Sequence, residues 1–210
     1  MRRRSKAAVL PIALMLILAG GGKPASAAMP YAVAVNRCNS QTVDEAYSRV
    51  RDYDHHAPGN ATGQLLQRFG AIAELLTTLH EEREIIDSVC SGDAARAPLF
   101  AEIAATIAWA LVLESDVAAR LNASCPAAAT ALPTMMLSDA WLSLANVVND
   151  SNGAVPPIFT DVISKIQSRA LAAGLTLPAW RDTSAYWRDG VHTAAKTQAA
   201  TCPSPAPTSS

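Results

Sequence analysis

Residues 98–125 read PLFAEIAATIAWALVLESDVAARLNASC, and this stretch decides the fold. Phe100, Ile103, Ile107, Ala110, Val117 and Leu121 recur at alternating three- and four-residue spacings, which marks one face of a helix. Leu99, Ala104, Trp109, Leu111 and Leu113 fill much of the remaining circumference. A helix apolar nearly all round belongs at the centre of a bundle, covered by other helices. At about 27 residues it spans roughly 40 Å. Its main seam has one charged position, Glu114, where the spacing calls for an apolar side chain.

The preceding segment, from about Gly63 to Val89, carries the cleanest seam in the chain: Leu65, Phe69, Ile72, Leu76, Leu79, Arg83, Ile86 and Cys90. The link over 91–97 is short and contains Gly92 and Asp93, so these two helices are expected as antiparallel neighbours. In that hairpin Arg83 comes opposite the turn carrying Glu102. Glu114 comes opposite Glu74, with Arg68 and Arg120 about a turn away. The expected arrangement is a buried layer in which Glu114 pairs with Arg68 and Arg120.

Outward from this pair, Thr42 and Glu45 form a capping-box pattern that starts a first helix through Tyr47, Val50 and Tyr53, ending before Pro58. Residues 127–132 read as a weak helical turn stopped by Pro133. A fourth helix then runs to about Asn149, with Leu137, Trp141, Leu144 and Val148 inward. A fifth follows Pro156 and Pro157, burying Phe159, Ile163, Ile166 and Ala170, with Gly174 as its C-terminal cap. A sixth opens at Pro178. Strand patterns, repeats and Gly-rich phosphate loops are absent from the sequence. The fold class is all-α, a disulfide-stapled helical bundle of five or six helices.

Arg2, Arg3, Arg4 and Lys6, an apolar run from Ala7 to Ala19, and Ala25-Ser26-Ala27 have the layout of an export signal. The organisation is then a cleaved signal over 1–27, a lead-in over 28–41, one bundle domain over 42–202 and a disordered tail over 203–210. Cleavage removes five of the seventeen Lys and Arg and none of the eighteen Asp and Glu, leaving a formal charge near minus six. With no basic cluster, that balance argues against nucleic acid as a partner. No second run of membrane length stands out after the signal, so no stable transmembrane anchor is expected. Cys38, Cys90, Cys125 and Cys202 make an even set in an exported chain, read as two disulfides. Cys38 precedes the first helix and Cys90 ends the second, at the same end of an antiparallel pair, which favours Cys38–Cys90. Cys125–Cys202 follows by elimination and requires the chain to turn at Pro133.

Four groups of residues are candidate sites. Trp180-Arg181-Asp182 recurs as Trp187-Arg188-Asp189, placing two tryptophans on one face with arginines beside them. Such a ledge suits a flat or anionic ligand, although tryptophans at helical spacing more often anchor a helix on its core. Asp52 with His55 and Asp189 with His192 have the spacing of carboxylate–histidine metal ligands, to which Glu74 and Glu114 would add carboxylates. Tyr53, His55 and His56 are competent haem ligands at a helix end. His80 and Glu84 read as a surface pair. No cofactor or metal is assigned. Arg68, Arg83, Arg120 and Glu114 remain as a polar set that fixes an anionic ligand or neutralises itself.

These features lead to an expectation of a periplasmic or secreted, non-catalytic binding or interaction protein of the cell envelope. Its partner is an unidentified protein or small molecule. The alternative is a helical-bundle enzyme, or a carrier of metal, haem or a small anion, using a buried polar layer around Glu114. The lack of a marked nucleophile weighs against catalysis.

Overall fold

The computed structural model describes Cys38 and residues 41–123 and 126–183. Five α-helices follow in order: α1 (Gln41–His55), α2 (Thr62–Val89), α3 (Arg96–Leu121), α4 (Pro126–Asp150) and α5 (Thr160–Ala172). Single 3-10 turns occupy Pro157–Phe159 and Trp180–Asp182. Among the described residues the bundle is entirely helical and disulfide-stapled, as its periodicity implies.

α3 packs against all four other helices and most extensively against α4. Ile103, Ala108, Val112 and Thr106 on it are wholly inaccessible. Each fully buried large aliphatic side chain contributes roughly 1.5–3 kcal/mol, so this helix holds the largest share of the core. Small residues at Ala101, Ala104, Ala105 and Ala108, matched by Ala140 and Ala145 on α4, allow close approach of the two backbones. By length and composition α3 is also apolar enough to cross a bilayer, and 72% of its most apolar window is buried by protein. The expectation that no second run of membrane length exists therefore fails. The composition of a central core helix meets the same criterion.

The cystine joins Cys38 to a wholly buried Cys90, with Cα atoms 5.7 Å apart. Because α2, α3 and α4 are linked by short connections, the end of α2, the start of α3 and the end of α4 lie together at this stapled end.

Several boundaries differ from the sequence expectation. α4 runs unbroken through Pro133, so the chain does not turn there. A proline inside a helix costs about 3 kcal/mol; here burial of Leu137, Ala140, Trp141 and Leu144 offsets it. Cys125 and Cys202, and the expected pairing between them, fall outside the described residues. α1 begins at Gln41, placing Thr42 inside the first turn instead of at the cap. Pro178 sits in an extended segment, and the next described element is the turn at Trp180, so a helix does not open at Pro178.

The helix ends follow backbone chemistry. α5 closes with Leu175 N–H donating to Ala170 O and Gly174 N–H to Leu171 O, while Gly174 has φ 67°. That is a Schellman closure requiring a left-handed residue. α4 closes the same way, with Asn152 at φ 54° and Gly153 N–H donating to Val148 O.

α5 is tied across the bundle by charge. Lys165 Nζ pairs with Asp54 of α1 at 2.8 Å and lies 5.1 Å above the Trp109 ring. Arg169 grips Asp116 of α3 with two donors, at 2.9 and 3.0 Å. Tyr47 of α1 meets Trp109 edge-on at 5.6 Å.

Candidate functional site

At the stapled end, a cleft of about 420 Å³ opens between three helices. Its walls are His80, Arg83, Glu84 and Asp87 of α2, Arg96 and Phe100 of α3, and Asp150, the last residue of α4. The four α2 residues fall at positions i, i+3, i+4 and i+7, so a single helical stripe supplies that wall. Phe100 is half-buried, with the Arg96 and Arg83 guanidinium carbons 4.6 and 5.7 Å from its ring centroid. Arg96 is also ion-paired with Asp87. Stacking on an aromatic ring holds a guanidinium in place without consuming its N–H donors. Among the described residues Arg83 has no carboxylate partner, and Glu84 and Asp150 have no cationic one.

Arg83 therefore does not meet Glu102 as its place in the hairpin implied. Glu102 instead hydrogen-bonds Asp44 of α1; burial, that hydrogen bond and the neighbouring charge raise its pKa to about 7. Glu114 is 7% exposed. Its pKa is also raised to about 7, first by burial and then by the charge of Asp139 on α4. Burial raises the pKa of Glu82 too. The arginines expected beside Glu114 are used elsewhere. Arg68 stacks on Tyr53 at 4.3 Å and donates to the carbonyl oxygens of Tyr53 and His56. Arg120 donates to the carbonyl oxygens of Pro58 and Gly59, both at 2.9 Å, and to Asn60 Oδ1 at 2.6 Å. Both arginines donate where carbonyls lack helical partners: Arg68 to the last turn of α1 at Tyr53 and to His56, Arg120 to the α1–α2 connection. Glu74 is exposed and does not face Glu114 in the core. The buried ion-pair layer is replaced by a carboxyl pair of like charge. The chain matches no protein-family model, no curated protein and no solved structure.

The other candidates separate. Asp52 pairs with His56 at 2.9 Å, one residue beyond His55, and His55 is exposed. No group of three or more potential metal ligands converges among the described residues. Asp189 and His192 lie outside them. Trp180 stacks on Trp141 of α4 at 3.8 Å, Trp141 Nε1 donates to Pro178 O, and Asn149 Nδ2 donates to Trp180 O. These contacts seat Trp180 against α4, while Arg181 is exposed. Trp187 and Arg188 are outside the described residues, so the two-tryptophan ledge is represented by its first half.

His80 and Glu84, read from sequence as a surface pair, turn out to line the cleft. The readable signal was the 80-83-84-87 stripe of polar residues beside the α2 seam. It was divided because Arg83 counted as an exception within the seam.

The Arg120 clamp makes a direct prediction. Arg120→Met keeps the apolar stem but leaves three acceptors without their donor, and lowers the unfolding free energy by about 1–3 kcal/mol. Thermal melting and amide exchange at Gly59 and Asn60 check it: both shift together if the clamp carries the loop.

Proposed function

We propose that this chain is an exported, non-catalytic binding protein of the cell envelope whose ligand seats in the cleft at the stapled end. The observation that carries the reading is Arg83, a half-buried guanidinium held against Phe100 with no carboxylate partner among the described residues. A cation positioned in this way is ready for an incoming group at little further ordering cost. Export is supported by the layout of residues 1–27, and the cystine is compatible with an oxidising compartment.

Binding is favoured over turnover because, among the described residues, the three carboxyl groups with raised pKa, Glu82, Glu102 and Glu114, line no part of this cleft. A general acid or base has to stand within reach of the bound group. The second reading, an enzyme or carrier centred on Glu114, draws support from the pKa of that carboxyl near 7 and its neighbour Asp139.

A survey of small polar fragments by amide chemical shift, on the full chain, separates the two. The binding reading expects saturable shifts clustered on residues 80–87, 96–100 and 150. Shifts clustered instead on 110–118 and 135–142 would overturn it in favour of Glu114.

A further inference from the structure

Resting on the binding reading, we infer that the cleft takes a small zwitterion with an apolar side chain, in the chemical class of free amino acids and short peptides. The inference comes from the charges left over in the cleft. Asp87 and Arg96 neutralise each other. What remains, beside the His80 imidazole, is one guanidinium, Arg83, and two carboxylates, Glu84 and Asp150, with no ion-pair partners among the described residues. A simple anion attracted by Arg83 meets those two carboxylates. A simple cation attracted by them meets Arg83. Like charges lining one cleft cost affinity, so a ligand of one sign loses to one set of groups what it gains from the other.

A molecule carrying both an ammonium and a carboxylate satisfies groups of both signs at once. Its carboxylate accepts from the Arg83 guanidinium, whose planar fork matches that geometry. Its ammonium donates toward Glu84 and Asp150. The exposed part of Phe100, beside the Arg83 guanidinium, offers apolar contact, which gives the ligand's side chain a place to pack. The volume, about 420 Å³, falls within the usual range of small-molecule sites. A phosphorylated ligand fits less well, because its two negative charges face a lining that already holds more carboxylates than guanidinium groups.

The test uses the isotope-labelled full chain and three probes: leucyl-leucine, its N-acetyl form, which keeps only the carboxylate, and its C-terminal amide, which keeps only the ammonium. Leucyl-leucine is expected to shift the amides of residues 80–87 and 96–100 saturably, and blocking either end weakens binding by about tenfold. Arg83→Gln weakens leucyl-leucine to the level of its amide. Glu84→Gln, at an exposed position that does not threaten folding, narrows the gap between leucyl-leucine and the N-acetyl form. Equal binding of all three probes overturns the zwitterion assignment while leaving the cleft as a binding site. The absence of any saturable shift at these residues overturns the assignment as well. The fragment survey then judges the binding reading separately.

Discussion

Replacing both Cys38 and Cys90 with serine lowers the unfolding free energy by about 3–4 kcal/mol. The cystine closes a loop of 52 residues in sequence separation, and constraining a loop of that length in the unfolded chain is worth about this much. The effect falls unevenly. α1 buries only Val43, Ala46 and Val50 completely, far less than α3, so the cystine supplies much of what holds it on the bundle. In the double variant α1 frays first: limited proteolysis cuts within 38–60 before any other segment, and the denaturant midpoint falls. An unchanged midpoint with unchanged cleavage sites would mean that helix packing alone secures α1. Serine at these two positions leaves Cys125 and Cys202 untouched, so the measurement isolates the one bridge.

The second large effect is a loss of stability as pH rises toward neutrality. Glu114 and Glu102 have folded-state pKa values raised to about 7, from the ordinary 4.5. Between those values the folded chain binds more protons than the unfolded chain, so stability is fully present below about pH 4.5 and is lost as pH rises through 7. Glu114, almost wholly buried, accounts for about 3 kcal/mol of that loss. Glu102 acts in the same direction but by less, since water screens a half-exposed group. Glu114→Gln keeps the shape and removes the charge. That variant therefore flattens the profile and is more stable than the parent above neutral pH. Denaturant titrations across this range check both, and stability that rises between about pH 5 and 8 would contradict the assignment of burial as the dominant cause.

The bundle could be read from the sequence because burial leaves a period. Leu137, Trp141, Leu144 and Val148 are all buried as their spacing implied, and Glu114 stood out as the misfit in the α3 seam. Partners were harder to read. The hairpin places Arg68 and Arg120 about a turn from Glu114, yet they reach instead to backbone carbonyls of the α1–α2 connection. Free backbone acceptors in a loop leave no trace in side-chain periodicity. Pro133 shows the converse limit, because its local preference to end a helix is overridden by apolar burial along α4. The cleft was hidden for a third reason. Its walls come from one stripe of α2 and from residues of α3 and α4 brought near only by the hairpin geometry.

The most direct test of the account is native mass spectrometry of the protein purified from the cells that produce it, as the parent chain and as Arg83→Gln and Glu114→Gln. The account predicts a non-covalent small-molecule adduct on the parent, lost in Arg83→Gln and kept in Glu114→Gln. A parent that carries no adduct, or an adduct that survives Arg83→Gln and disappears with Glu114→Gln, would contradict it.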